Sequence, residues 1–461
     1  MLQYPFISLS IVVLCFTAAA HPIALSSDFE SDASILGVAD YQPVRLPRVA
    51  GPLQPPKPED EYVTKDELQS LLKRWTWKVG EFKVSPYGAF WADMIYATER
   101  TNPGAGTLYV FSPETHGEDA FTIDARRSRF GLDVTGPTIP ALGWSETGGK
   151  VEIDFRGDFI TENRAGVLLR HAYWEATTSQ SRLLVGQTWD VISPLQPGVL
   201  NYAAGYNAGN IGFRRTQFRA ERYFEVSPCC KFTFQGSLNQ DIVTDFPTDP
   251  GVNRETSDWP VVEGRMAVIL GRRGHGAEPV QVGVSGHIGE TGLDFLTPGP
   301  PPLNLPPLDD ARFKTWSLNV DVRFPITDRF GFQGEFYTGA NLSPYLGGIG
   351  QGVCPCLRVP IRSTGGWFEV WYDWTTRLHS HAGFGLDDPN DRDSLLGRIY
   401  NHFVFVNLVV DVTDRLTTGC EVTSWKTLYH EKRVGQIPPN ELTPSQPGES
   451  ITLDWMIKYS F

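Results

Sequence analysis

Read backwards by twos from Phe461, the chain places Tyr459, Ile457, Trp455, Leu453 and Ile451 on one face, while Ser460, Lys458, Asp454 and Ser450 occupy the alternate positions together with Met456. Period two from Glu449 to Phe461 predicts a β-strand, and its length suits one tilted crossing of a bilayer, for which roughly 9 to 11 residues suffice. A strand with one wholly apolar face has to bury it. A second sheet does this in a soluble sandwich; lipid does it in a membrane, with the polar face turned to a wet lumen. The aromatic rings of Trp455, Tyr459 and Phe461 favour lipid, because such rings collect at the membrane interface.

The same alternation runs through the chain from Val84 onward. It predicts strands at Tyr87 to Tyr96, Phe121 to Val134, Lys150 to Phe159, Val167 to Ala176, Ser181 to Trp189, Gly212 to Phe224, Lys231 to Asn239 and Val262 to Leu270. Further strands are expected at Val280 to Ile288, Thr315 to Phe324, Phe330 to Ala340, Gly366 to Trp374, Leu378 to Leu386, Ile399 to Asp411, Leu416 to Trp425 and the C-terminus. That is about sixteen, an even number, as a closed antiparallel barrel favours. The segment at Lys150 is the clearest: Val151, Ile153, Phe155, Gly157 and Phe159 share one face, and Lys150, Glu152, Asp154, Arg156 and Asp158 share the other. A packed soluble core has no use for such a run of charge, whereas a wide lumen solvates it. Connections alternate in length. Pro325 to Arg329 and Thr413 to Arg415 are short and follow even strands; Pro298 to Asp310 and Leu428 to Gly448 are long and follow odd ones.

Upstream the grammar differs. Met1 to Ala20 has the apolar run Pro5 to Phe16 and an Ala-rich end, as in a secretory signal peptide, although no Lys or Arg precedes the run. Residues 21–60 are acidic and Pro-rich, a linker pattern. Within 61–76, Thr64 and Glu67 form a capping box ahead of Leu68, Leu71, Leu72 and Trp75, which predicts a short amphipathic helix at Lys65 to Arg74. The barrel would then occupy 77–461.

Composition narrows the function. Hydrophobic residues make up 41%, yet mean hydropathy is -0.22, and no mature stretch approaches the roughly 18 apolar residues of a membrane helix. A net charge of -13 excludes a general nucleic-acid binder, which needs a basic surface to displace counterions. Among six cysteines, Cys229 and Cys230 are adjacent and Cys354 and Cys356 are one residue apart; neither spacing is that of a zinc site, and partial disulfide pairing is expected. His379 and His381 share a strand face without an evident third metal ligand, and His171 lies near Glu175 as an acid/base pair would. Gly-x-Ser-x-Gly, P-loop and dinucleotide motifs are absent.

One connection stands apart. Leu183 to Asp190 leads into Val191 to Asn210, rich in Gly, Ala and Pro, and Gly212-Phe213-Arg214-Arg215 opens the next strand. This run resembles the point in bacterial outer-membrane porins where the third external loop folds back into the barrel. Ala125 to Leu132, Leu169 to Tyr173 and Gln333 to Phe336 also resemble porin strand motifs, as does the terminal Phe461. The resemblance covers roughly Trp77 to Phe461. It is nearest to the porins of planctomycete-like bacteria and looser to trimeric dicarboxylate-type porins with an N-terminal helical segment. It implies a homotrimeric transmembrane barrel in the outer membrane of a diderm bacterium. Outer-membrane lipids would surround it, and barrel-assembly machinery would read its C-terminal strand. It would pass small hydrophilic solutes without cofactor, metal or catalysis.

On that reading the loop at 190–210 narrows the lumen opposite Arg127, Arg129, Arg156, Arg170, Arg215 and Arg219, and Asp190 is its one acid. A bias toward anions or carboxylate-bearing solutes is expected. The alternative is that these arginines pair with Glu152, Asp154, Glu175 and Glu221 and merely solvate the wall. An outer-membrane hydrolase, a non-conducting outer-membrane protein and a secreted β protein are the rival readings.

Overall fold

The computed structural model describes residues 76–461 apart from 144, 158–163, 242–251, 256, 272–278, 300–302 and 431–443. The expected signal segment, linker and helix at Lys65 to Arg74 lie outside the described residues.

The wall strands are β1 (Phe82–Ala97), β2 in two segments (Ala120–Asp124 and Arg129–Thr135), β3 (Glu146–Asp154), β4 (Leu168–Thr177), β5 (Ser181–Trp189), β6 (Arg214–Ser227), β7 (Cys230–Asn239) and β8 (Val261–Leu270). They continue as β9 (Val280–Phe295), β10 (Leu308–Pro325), β11 (Phe330–Ala340), β12 (Arg362–Asp373), β13 (Leu378–Pro389), β14 (Arg398–Asp411), β15 (Leu416–Tyr429) and β16 (Gly448–Ser460). Each pairs antiparallel with its sequence neighbours. The seam between β1 and β16 closes the ring from Ala89↔Ser460 to Ala97↔Thr452, and Gly88 and Phe461 exchange backbone hydrogen bonds at 3.2 and 3.0 Å. The result is a closed antiparallel barrel of sixteen strands, and closure leaves no unpaired edge, as a bilayer requires.

Faces follow the alternation. On β16, Ile451, Leu453, Trp455, Ile457 and Tyr459 point outward and are 40–49% exposed, while Ser450, Thr452, Asp454 and Met456 are buried within. At the seam the rings of Phe90, Phe130 and Phe461 meet at 5.5 to 6.2 Å on the outer face. Turns of two to four residues follow β4, β6, β10, β12 and β14, and loops of eight residues or more follow the odd strands, among them L1 (98–119) after β1, L2 (155–167) after β3, L3 (190–213) after β5, L6 (341–361) after β11 and L7 (390–397) after β13.

Two expected strands are shorter or interrupted, for the same reason. After Asp124 its carboxylate accepts the N–H of Arg126 at 2.7 Å, and after Asp154 its carboxylate accepts the N–H of Arg156 at 3.0 Å. Such Asx turns compete with the ladder. They break β2 at residues 125–128 and end β3 before Phe155, so Arg156 belongs to L2 and not to the wall. Ser128 Oγ repairs the gap: it accepts from Trp91 N at 2.9 Å and donates to Trp91 O at 3.2 Å. In contrast, β9 and β10 run well past their expected ends, because Gly289 to Leu293 finds partners at Ala311 to Thr315 despite its broken alternation.

The dry core lies inside the barrel. L1, L3 and L6 fold inward and pack Leu108, Tyr109, Ala203, Tyr206 and Ile349 into one cluster, and Ile192, Ile211, Leu342 and Tyr345 into another against Val261 and Tyr337. Gly209 of L3, at φ +119°, lies so close to the Gly366 carbonyl of β12 that a Cβ has no room there.

Candidate functional site

L3 crosses the lumen on a ladder of wall glutamates. Val191 N donates to Glu263 on β8 at 2.8 Å, Leu195 N to Glu335 on β11 at 2.7 Å, Gly198 N to Glu369 on β12 at 2.6 Å and Leu200 N to Glu421 on β15 at 2.7 Å. Asn407 Nδ2 adds a bond to Gly198 O at 2.7 Å, and Asn401 Nδ2 donates to Asn207 O and to Leu108 O of L1, each at 2.8 Å. All four glutamates are buried. A buried carboxylate without a partner is costly, and a loop without regular structure has N–H groups to satisfy; each solves the other's problem.

The near end of L3 is fixed by Asp190. Its carboxylate accepts from Phe213 N at 2.8 Å and from Arg215 Nε at 2.7 Å, so both ends of the loop are drawn together. Arg215 also lies 3.8 Å from the Tyr345 ring and donates to Pro344 O at 3.1 Å, which joins L6 to the same clasp. Tyr345 OH reaches Glu263 at 3.1 Å.

The opposite wall, β1 to β6, carries the arginines. Arg170 pairs with Glu152 at 2.5 Å and Asp154 at 2.8 Å; Arg182 pairs with Glu175 at 2.6 Å; Arg219 pairs with Glu221 at 2.6 Å. Arg156 lies between Asp124 at 3.5 Å and the Tyr202 ring of L3 at 4.2 Å, while Tyr202 OH donates to Asp154 at 3.0 Å. Of the arginines expected at the constriction, Arg156, Arg170, Arg215 and Arg219 are therefore buried beneath or behind L3, as is Asp190.

Arg127 and Arg129 differ: both keep some exposure to the lumen, although only 12% of the Arg127 side chain is accessible and Asp93 lies 3.7 Å from it. Arg127 donates to Leu200 O of L3 at 2.5 Å and stacks 3.8 Å from the Trp91 ring; Arg129 lies 6.0 Å from that ring and Lys458 of β16 5.1 Å. Lys150 lies 5.2 Å from Tyr87, next in the row. Beneath these cations Asp93, Asp124, Glu152, Asp154 and Asp454 are all buried. Around Arg127, Arg129 and Lys458 the patch thus shows cations with carboxylates behind them, whereas Lys150 is paired at 3.5 Å with Asp133, which is the more exposed of the two.

Trp91, Lys150 and Lys458 were not among the expected site residues, although Lys458 sits on the polar face of the terminal strand and Lys150 on that of β3. Nor were the four anchoring glutamates, whose signal is faint: Glu263, Glu335 and Glu421 are each the lone acid of their strand, as in Gln333-Gly334-Glu335-Phe336, and Glu369 shares its strand only with Asp373. His171 and Glu175 are not brought together, since His171 Nδ1 meets Thr188 Oγ1 at 3.0 Å and Glu175 pairs with Arg182. His379 is held between Asp373 at 2.6 Å and Asp411 at 3.1 Å, and His381 lies 3.4 Å from Glu369.

No family model matches the chain, and no curated protein matches it by sequence. Solved structures do. The outer membrane channel DcaP of Acinetobacter baumannii superposes with a TM-score of 0.62 at 16% identity over 84% of this chain and 99% of its own. An anion-selective porin from Comamonas acidovorans gives 0.51 at 12% identity, over 83% and 100%, and OprB of Pseudomonas putida 0.50 at 10%, over 86% and 96%. The fold is a porin barrel.

Proposed function

We propose that this chain is an outer-membrane porin of a diderm bacterium that lets small hydrophilic solutes diffuse down their gradients, with a preference for anions and carboxylate-bearing solutes. The observation that carries the preference is the asymmetry of the lumen: Arg127, Arg129 and Lys458 reach it, whereas the carboxylates beneath them and the glutamates under L3 are buried, and the one more exposed acid of that patch, Asp133, is paired with Lys150. A passing anion therefore meets guanidinium and ammonium groups first, and in a narrowed passage of low effective dielectric such charges act more strongly than in bulk water. The likeness to a porin described as anion-selective agrees with this reading.

The same proposal includes export by residues 1–20, insertion through the β16 signal ending at Phe461, assembly as a homotrimer and kinship with planctomycete-type porins. The short strands β3 to β5, of 9 to 10 residues against 10 to 18 for β6 to β16, and the exposed Phe90 and Phe461 packed with the partly exposed Phe130 support burial of that side by another copy. The test is reconstitution into a planar bilayer and a reversal-potential measurement across a salt gradient. Anion-selective conductance that loses selectivity in Arg127→Ala with Arg129→Ala is expected; cation preference in the unaltered protein overturns the selectivity, and a folded protein without conductance overturns the channel.

A further inference from the structure

L6 contains a second clasp, built from sulfur. It leaves β11, dips into the lumen with Tyr345 and Ile349, then turns back through a two-stranded hairpin in which Val353 pairs with Pro360 and Cys354 with Val359. Arg358, at φ +52°, makes the turn, and its N–H closes onto Cys354 O at 2.7 Å. Cys354 and Cys356 both point into the apolar pocket formed with Ile361, Leu357 and Val359 of L6 and Leu395 and Leu396 of L7, and both are buried. The Cys356 thiol is hydrogen-bonded to Cys354 Sγ, and the backbone N–H groups of Cys356, Leu357 and Leu395 are aimed at the same sulfur.

Two sulfurs in contact with no acid, imidazole or third thiol beside them form neither a zinc site nor an acid/base pair. On the outer-membrane reading, on which this inference rests, they fold in an oxidising compartment, where thiols that can meet are joined. Cys229 lies in the turn between β6 and β7 and Cys230 opens β7, at the opposite end of the barrel, and Cys420 faces outward from β15. We propose that Cys354 and Cys356 form a disulfide that locks the L6 hairpin and so holds Tyr345 and Ile349 in the constriction.

The chemistry is available within the pair. Within the hairpin itself the Cys356 hydrogen bond, followed by the N–H groups of Leu357 and Cys356, lowers the Cys354 thiol, which makes it the attacking thiolate. Cys354 Sγ attacks one sulfur of an envelope protein disulfide, whose other sulfur leaves as a thiolate. Cys356 then gives up its proton, attacks Cys354 in the mixed disulfide and expels the oxidant's second sulfur. The oxidant ends as a dithiol, and two electrons and two protons have left the pair. Because the finished site is buried, this occurs before L6 docks. Downstream, Ile361 N donates to Gly352 O at 2.8 Å and Asn341 N to Ile361 O at 2.9 Å, which ties the locked hairpin to the end of β11. From Tyr345 the path reaches Arg215 and Glu263, and Ile349 N donates to Asp387 of β13 at 3.0 Å.

The bond is read directly. The full chain is expressed in a diderm host, recovered from the outer membrane, denatured with a thiol alkylator and cut with trypsin, which releases 330–358 with both cysteines in one peptide. The expected peptide is unalkylated, lighter by two hydrogens than the dithiol form, and takes two alkyl groups only after reduction. Two alkyl groups before reduction, or a bridge from either residue to another cysteine, overturn the bond. A chain absent from the outer membrane fails the localisation instead, a result fractionation reads before any mass is taken. The clamp is tested with Cys354→Ser and Cys356→Ser together in planar bilayers: open-channel noise and voltage-driven closure several-fold above the unaltered protein are expected, and identical traces overturn it.

Discussion

The lumen has two walls, and they treat charge in opposite ways. From β1 to β6, acids and arginines alternate along the wall and pair with each other, so Arg170 holds Glu152 and Asp154, and Arg219 holds Glu221. From β11 to β15 the anchoring acids stand apart from the arginines, and Glu335, Glu369 and Glu421 are each capped by a main-chain N–H of L3. Both arrangements neutralise buried carboxylates, but they leave different surfaces. Side-chain pairing leaves Arg127, Arg129, Lys150 and Lys458 at the front of one wall; main-chain capping covers the other with a neutral loop. A polar wall is therefore not described by its net charge, since what a solute meets depends on which partner lies on top.

That contrast can be broken, first by stability. Arg170→Ala strands Glu152 and Asp154 beneath L3, and removing one partner of a buried ion pair costs about 3–5 kcal/mol. A clear fall in the temperature at which the folded barrel loses its compact mobility on a gel is expected, and no change would show that these carboxylates find other partners.

Breaking the capped wall comes next. Changing Glu335, Glu369 and Glu421 together to Ala removes three acceptors from L3, and an unsatisfied buried N–H costs about 1–3 kcal/mol. L3 should leave the wall, raising single-channel conductance severalfold; unchanged conductance would mean that Glu263, Arg127, Asn401 and Asn407 suffice to hold the loop.

The lumen-facing cations give a smaller effect. Loss of Arg127 and Arg129 should reduce the anion-to-cation permeability ratio about three- to tenfold, given that tenfold corresponds to about 1.4 kcal/mol. The ratio should also decline as salt rises and screens the remaining charges.

The smallest expected effects sharpen the comparison most. Lys458→Gln should lower the permeability ratio by about twofold, because one exposed charge near a surface contributes well under a full kcal/mol. Glu369→Gln retains an acceptor for Gly198 N but no charge, and should leave the ratio where it was. If Glu369→Gln shifts selectivity as much as Lys458→Gln, the capped wall is felt by ions after all.

Some of this was written along the chain. Period-two alternation assigned the sixteen strands, the lipid face of β16 and the sequence of short turns and long loops, because each strand decides its own two faces. Phe330 to Ala340 and Ser181 to Trp189 have the boundaries that alternation assigns to them. Local chemistry misled it at Asp124 and Asp154, where carboxylates form Asx turns in place of continuing the ladder. The same alternation marked Arg127, Arg156 and Arg170 alike as inward. It could not rank them by depth: only the path of L3 buries Arg156 under Tyr202 and Arg170 between two carboxylates while leaving Arg127 against Trp91 at the lumen. That path is set by hydrogen bonds from 191–200 to glutamates 72 to 221 residues further along the chain. Inside and outside are properties of a strand, whereas covered and open are properties of the closed barrel.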